Sequence, residues 1–332
     1  MSRVLVTGAT GFVGRALCAE LLQHGHAIRA GLRRVEDSTR LALEGVEPIV
    51  IGTVNAATDW RNALAGCKSV VHLVARVHVM HDEAINPLAE FCMVNVEGTL
   101  ALARQAATAG VKRFVFLSSI KVNGEKTTLG RPFTEQDQPD PLDAYAISKR
   151  EAEQGLMELA AETGMEVVII RPPLVYGPGV KANFLAMMRW IVRGVPLPLG
   201  ALYNRRSLIA LDNLVDLIII CIDHPAAANQ VFLGSDGEDL STTELLQRTA
   251  AALGRPARLL PIPQNLLSLV LKMLGKGDLI QRLCGSLQVD SSKARNLLGW
   301  NPPASVDEAL LKTARHFQEQ FRPTSRSSQE IA

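Results

Sequence analysis

The 332-residue sequence predicts an α/β fold, a doubly wound parallel sheet with a smaller C-terminal domain, on three observations. Short Val/Ile/Leu-rich runs alternate with longer helical patterns, glycines stand where those helices would stop, and the rhythm breaks at a cluster of prolines. The strand-like runs are Arg3 to Val6, Ala27 to Ala30, Pro48 to Ile51, Ser69 to Val74, Arg113 to Leu117 and Glu166 to Ile170. Runs this apolar suit strands covered on both faces, which helices wrapped around a parallel sheet provide. Between them, Gly14 to His24 and Ile85 to Ala109 repeat apolar residues at three and four, and Gly25, Gly66, Gly110 and Gly164 mark helix ends.

Prolines at 172, 173, 178, 196 and 198 interrupt this alternation after Arg171, so a second, smaller domain is expected from there. The expected division places residues 1–171, with about 206–230, in the first domain and 172–205 with 231–320 in the second. Ser207 to Ile222 reads as a buried strand and helix that return to the first domain. Leu266 to Leu274 reads as a buried helix, with a membrane-surface contact as the lesser alternative, and it is far short of the roughly 20 apolar residues a membrane span needs, so no stable membrane insertion is expected. The polar tail, 321–332, is expected to fray.

Thirty-five basic residues against 33 acidic ones leave a net charge of +2, too small a surplus for a nucleic-acid partner, so any anion is bound locally. Cys18, Cys67, Cys92, Cys221 and Cys284 are scattered without metal-ligand spacing, which predicts reduced thiols and no metal site. The chain passes from Ser2 and Arg3 straight into Val4, Leu5 and Val6 with no export signal, and a cytoplasmic location is the expectation.

After the first strand-like run comes Thr7-Gly8-Ala9-Thr10-Gly11-Phe12-Val13-Gly14, a GxxGxxG turn leading into a helix. Glycines let the backbone turn sharply and approach a pyrophosphate, which sits on the N–H groups of the positive helix end. At the head of a βαβ series this is a Rossmann-type dinucleotide site. An acidic residue closing the second strand would bind the ribose of NAD; here Leu32 is followed by Arg33 and Arg34, which suit the 2′-phosphate of NADP. NADP(H) is therefore favoured, NAD(H) is the alternative, and Glu36 and Asp37 blunt the positive potential nearby.

Tyr145-Ala146-Ile147-Ser148-Lys149 opens a helix, and the four-residue spacing puts Tyr145 and Lys149 on one face. A phenol titrates near pH 10, and a neighbouring ammonium favours the phenolate, so Tyr145 is expected to exchange a proton with Lys149 assisting. The strand ending at Leu117 leads to Ser118 and Ser119 at the carboxyl edge of the sheet, where a hydroxyl can bind the same substrate oxygen.

With these motifs the sequence resembles the extended short-chain dehydrogenase/reductase family of nucleotide-sugar epimerases, dehydratases and reductases. Further matching motifs are His72-Leu73-Val74-Ala75, Asn95 ahead of Gly98-Thr99, Arg171-Pro172-Pro173-Leu174-Val175-Tyr176-Gly177-Pro178, and the closing Asp290-Ser291-Ser292-Lys293-Ala294 with Leu298-Gly299-Trp300. The resemblance covers Ser2 to about Phe317. It implies that Tyr145 is the acid/base, Lys149 its modulator and ribose ligand, and Ser119 the substrate-polarising hydroxyl. It also implies cofactor contacts at Gly8, Thr10, Gly11, Phe12, Val13, Gly14, Leu73, Ala75, Asn95, Ser118 and Pro172, and diphosphate contacts from Asn183, Arg206 and Arg282. A UDP-linked sugar is the implied substrate, and helices resembling Ile85 to Ala109 and Ala144 to Glu162 pair into a homodimer in the family.

Dehydratases of that family follow Ser119 with an Asp-Glu pair; Ile120 and Lys121 stand here, so that elimination lacks its acid and base. Asn123 replaces a tyrosine usual in the family. Two redox readings remain. The favoured one is an NADPH-dependent reductase of a UDP-4-keto-6-deoxy-N-acetylhexosamine for bacterial surface polysaccharide, which SSIKVNGE and RPPLVYGPGVKANF resemble most. The alternative is a UDP-hexose or UDP-N-acetylhexosamine 4-epimerase with bound NAD. A non-catalytic nucleotide sensor is the third reading, disfavoured by the intact Ser119, Tyr145 and Lys149.

Overall fold

The computed structural model describes residues 3–41, 43–77 and 86–321. The predicted helix start at Ile85, the residues before Arg3, and the tail from 322 lie outside the described residues. The chain runs β1 (Arg3–Thr7), α1 (Phe12–Gln23), β2 (Ala27–Leu32), α2 (Asp37–Leu41), β3 (Val46–Val50), α3 (Arg61–Leu64) and β4 (Cys67–His72). It continues through α4 (Pro87–Cys92), a π-helical turn (Met93–Gly98), α5 (Thr99–Thr108), β5 (Arg113–Leu117), a 3₁₀ turn (Ile120–Val122), α6 (Ala144–Thr163) and β6 (Glu166–Arg171). Then come β7 (Leu174–Tyr176), α7 (Ala182–Arg193), β8 (Arg206–Ala210), α8 (Leu211–Asp223), β9 (Gln230–Leu233), β10 (Asp239–Leu240) and α9 (Thr242–Ala252). The last helices are α10 (Gln264–Met273), α11 (Gly277–Cys284), α12 (Ser292–Leu298) and α13 (Val306–Gln320).

Seven strands form a parallel sheet in the order β3-β2-β1-β4-β5-β6-β9. The chain winds outward from β1 in both directions, so a crevice opens between the carboxyl ends of β1 and β4, where such sheets bind ligands. One face packs Leu17, Leu21, Leu214 and Ile218 of α1 and α8 against Val4, Val6, Val71 and Val168. The other packs Leu102 and Ala106 of α5 and Leu156 of α6 against Leu5, Val70, Phe114 and Ile169. Alternate residues of each strand thus serve opposite cores, which is why the strands read as unbroken apolar runs.

A three-stranded sheet, β10-β8-β7, lies in the second region with its own core of Tyr176, Phe184, Met188, Leu208, Leu246, Leu310 and Phe317. The chain therefore splits within 206–233: β8 joins the small sheet, α8 covers the large one, and β9 is the large sheet's seventh strand. The closing motif fastens α12 to that edge: Lys293 Nζ donates to Val231 O at 2.9 Å, and the indole N–H of buried Trp300 donates to Asp216 on α8 at 2.9 Å.

Three elements differ from the sequence expectation. The long helix to Ala109 is broken at residues 93–98 by a π-helical turn, which inserts an extra residue per turn and re-aims the side chain it carries. The fourth strand ends at His72, freeing Leu73 and Val74 for the crevice. The stretch read as a buried helix, Leu266 to Leu274, is helical but buries only Leu267; Leu269 is 56% and Met273 80% exposed. Among the described residues that helix packs on one side only, against α11 and the residues around Leu199 and Leu202.

Candidate active site

The turn after β1 closes only because it lacks side chains. Gly8 takes φ +72°, and a Cβ there would lie 3.2 Å from the Leu73 carbonyl carbon, so the turn rests directly on the end of β4. A Cβ on Gly14 would fall 2.1 Å from Gly8 O. Gly11 begins α1 without any side-chain cap, which leaves the first N–H groups of the helix for an outside acceptor. Phe12 and Val13, both partly buried, pack their side chains against the cores, beside half-buried Thr10. This cradle fits the diphosphate of a dinucleotide. Arg33 and Arg34 follow β2 as exposed loop residues, with the Arg34 N–H held by Asp37 at 3.2 Å.

At the end of β4, His72 is wholly buried between Thr7 Oγ1 at 2.7 Å and Thr99 Oγ1 at 3.0 Å. Burial, with the charge of Lys149 adding to it, pulls its pKa down to about 3, so it stands neutral. Leu73 and Ala75 line the half-buried stretch that follows. Asn95, carried inward by the π-helical turn, clamps that stretch: its Oδ1 accepts the Arg76 N–H at 2.8 Å and its amide donates to Arg76 O at 3.1 Å. The same amide donates to Ser148 Oγ at 2.9 Å, and Ser148 in turn donates to Tyr145 O at 2.8 Å. Asn95 was expected as a cofactor contact; its side chain holds the loop after β4 to α6, which carries Tyr145 and Lys149.

Helix α6 starts at Asp143, whose carboxylate caps the Ala146 N–H at 2.7 Å. Tyr145 and Lys149 follow one turn apart. Tyr145 lies edge-on to Phe91 with ring centroids 6.2 Å apart, and the Ser119 hydroxyl is near enough to act on its phenol. Lys149 is 1% exposed; its Nζ donates to Leu117 O at 2.8 Å and sits 4.2 Å above the Phe116 ring. The electrostatics differ from the expectation that Lys149 would lower the Tyr145 pKa. Burial, and then the charge of Asp143, push Tyr145 up to about 12, against a smaller lowering by Ser119. Burial pulls Lys149 down to about 7, with Glu153 favouring its charged form. Desolvation outweighs the attraction that the spacing suggested.

Behind the pair lies a buried ionic group the sequence did not disclose. Glu153 takes the Arg171 Nε at 3.0 and 3.1 Å and accepts a short hydrogen bond from Ser118 Oγ, so the Ser118 hydroxyl points into the protein. Arg171 also donates to Asn123 Oδ1 at 2.9 Å, while the Asn123 amide donates to Thr134 O at 2.9 Å. Asn123 thereby has a function at the position where the family carries tyrosine. Buried Pro172 takes the Ile120 N–H on its carbonyl at 3.0 Å, fixing the segment after Ser119. Lys121, where a dehydratase carboxyl would stand, pairs with Asp143 at 2.5 Å and Glu125 at 3.2 Å.

The three expected diphosphate residues are spread over the second region. Arg206 Nη1 donates to Gly285 O at 3.0 Å; among the described residues no carboxylate lies within ion-pair distance, and burial lowers its pKa. Asn183 is exposed in the first turn of α7, after Ala182 at φ +51°. Arg282 is exposed on α11, three residues before the carbonyl that Arg206 holds. No hydrogen bond joins Asn183 to either arginine among the described residues. No group of three or more His, Cys, Asp or Glu side chains there could hold a metal ion, and no helix there is long and apolar enough to cross a membrane.

The sequence pattern of the NAD dependent epimerase/dehydratase family matches residues 4–233. A UDP-glucose 4-epimerase of Vibrio cholerae is 48% identical over 317 residues, covering 95% of each chain. Among solved structures, the UDP-glucuronic acid 4-epimerase from Bacillus cereus in complex with NAD superposes with a TM-score of 0.77 at 19% identity, over 96% of this chain and 97% of that one. The Thermotoga maritima UDP-glucose 4-epimerase with UDP-glucose gives 0.75 at 22% identity, over 96% and 100%. At such identities the likeness is one of fold.

Proposed function

The chain belongs to the NAD dependent epimerase/dehydratase family, and from that membership we propose that it is a UDP-hexose 4-epimerase working with retained NAD. The observation that carries this reading is the 48% identity to the Vibrio cholerae UDP-glucose 4-epimerase along 95% of both chains. It favours the reading that the sequence motifs placed second.

NAD, held at the glycine turn, would supply reversible hydride chemistry at the sugar C4. Gly8, Gly11 and Gly14 leave room for its diphosphate, and the α1 N-terminus supplies the partial positive charge. Tyr145 takes the C4 hydroxyl proton as the C–H bond breaks and gives it back when the alcohol re-forms, so protons and electrons both balance within one cycle. Ser119 binds the same oxygen and keeps it in line with the phenol. Lys149, held by Leu117 O and favoured in its charged form by Glu153, offsets the phenolate that burial otherwise opposes. Arg206, a half-buried cation facing no carboxylate among the described residues, suits the substrate diphosphate.

Arg33 and Arg34 favour a second reading, an NADPH-dependent reductase of a UDP-linked 4-keto sugar, because a 2′-phosphate would find two guanidinium groups after β2. Both readings share Tyr145, Lys149 and Ser119; in the first the hydride that reaches C4 was taken from the same sugar, and in the second it would come from a dissociable NADPH. Incubation with UDP-galactose and no added nucleotide tests the first: UDP-glucose should form catalytically. Failure to interconvert any UDP-hexose or UDP-N-acetylhexosamine would overturn it.

A further inference from the structure

Helix α10 is apolar on two sides. Leu267 and Leu271 turn inward onto Leu202, Ile280 and Cys284. Leu266, Leu269, Val270, Met273 and Leu274, spaced by three and four, form a second stripe that faces solvent with exposures of 50, 56, 44, 80 and 64%. A surface helix needs one apolar stripe to hold it to its protein. The second gives this helix no folding benefit.

The sequence that carries this stripe, from Leu245 to Gly277, is basic, and Asp278 on α11 is the next carboxylate. Residues 245–277 contain Arg248, Arg255, Arg258, Lys272 and Lys276 and no Asp or Glu, in a chain whose overall balance is only +2. Arg248 is tied to Glu238. Arg255, Arg258, Lys272 and Lys276 are exposed, and among the described residues none lies within ion-pair distance of a carboxylate. The apolar surface also extends past the helix. Leu260 is 49% exposed on the segment leading to α10, where its carbonyl takes the Gly200 N–H at 2.9 Å and Pro263 pairs with Ala201. Tyr203, two residues on from that pairing, is 80% exposed.

An apolar stripe, an exposed tyrosine and exposed cations with no carboxylate partner among the described residues match a bilayer surface carrying anionic headgroups. A second protein chain would be served by the apolar stripe but would have to bring carboxylates for the cations. We propose that the outward face of α10, with Leu260 and Tyr203, docks this protein peripherally on an anionic lipid bilayer, without crossing it. The docked hairpin belongs to the rim of the candidate active site. On α11 the Gln281 amide donates to Glu125 O at 3.1 Å, Glu125 pairs with Lys121 two residues after Ser119, and Gly285 just beyond α11 holds Arg206. Docking would therefore hold the sugar-binding region beside the membrane surface.

The test is co-sedimentation of the full chain with vesicles of phosphatidylcholine alone and of phosphatidylcholine with phosphatidylglycerol, at low and high salt. The protein should sediment with the anionic vesicles, less so at high salt. A Leu269→Glu/Met273→Glu double variant should lose binding by about tenfold or more, the scale of withdrawing two side chains from an apolar interface. Lys272→Glu/Lys276→Glu should remove most of the salt dependence. Both pairs are exposed, and an unchanged melting temperature would show that the variants fold. The proposal is overturned if neither vesicle binds, or if binding survives the Leu269→Glu/Met273→Glu change. A dimer in sedimentation velocity that this change dissociates, without vesicle binding, would assign the face to a second copy instead. None of these readouts uses turnover, so they stand or fall independently of the epimerase reading.

Discussion

The side-chain amide of Asn95 donates to Ser148 Oγ at 2.9 Å, joining the loop after β4 to the helix that carries Tyr145 and Lys149. One residue thereby ties the segment after β4 and the first turns of α6 into a single register. Replacing Asn95 by alanine removes the donor to buried Ser148 and both backbone hydrogen bonds at half-buried Arg76. We expect a stability loss of about 1–3 kcal/mol in denaturant unfolding, together with weaker NAD binding. An unchanged unfolding midpoint would show that the clamp is not needed.

Gly14→Ala tests the cradle. Its Cβ would sit 2.1 Å from Gly8 O, a backbone atom that cannot swing aside as a side chain can. The turn must open, and NAD content after purification should fall to a small fraction of the normal value. Full NAD content in this variant would contradict the assignment of the turn.

Tyr145→Phe removes the exchangeable proton while keeping the ring against Phe91. Turnover should fall by about 10²–10⁴-fold, the usual range for a positioned acid/base, with NAD content preserved. Loss of both together would mean that Tyr145 is structural.

The pH dependence of stability follows from two buried bases. Lys149 ordinarily keeps its proton to 10.5 but gives it up near 7 in the folded protein, so between these values the unfolded chain binds more protons and stability rises with pH. Tyr145 acts in the other direction above its ordinary 10.0, since the fold holds its proton to about 12. The melting temperature of the nucleotide-free protein should thus climb from pH 7 toward 10, and Lys149→Met should flatten that climb. His72, pulled from 6.5 to about 3, adds a loss of stability as pH falls through that interval. Thermal melts across these ranges check both signs.

The parallel sheet was legible in the sequence because its strands are buried on both faces, and the glycine turn because its spacing has one steric use. Ser119, Tyr145 and Lys149 were legible because a strand end and one helical turn place them locally. The Glu153–Arg171–Asn123 group was not, since its members lie 18 and 48 residues apart and meet only when α6 packs on β6. The same holds for Asn95, whose inward turn depends on a π-helical insertion that apolar spacing does not signal. For α10 the favoured reading, a buried helix, holds only for the Leu267 and Leu271 side, because nothing in a single sequence says which apolar stripe finds a partner.

Arg33 and Arg34 pull the cofactor expectation toward NADP, and similarity along the chain pulls the reaction toward epimerisation. Denaturing the purified protein and quantifying the released nucleotide decides between them most directly. The epimerase account predicts close to one NAD per chain, with no net nucleotide oxidation during UDP-hexose turnover. Protein that releases no NAD, and that consumes NADPH stoichiometrically with a UDP-linked 4-keto sugar, would contradict it.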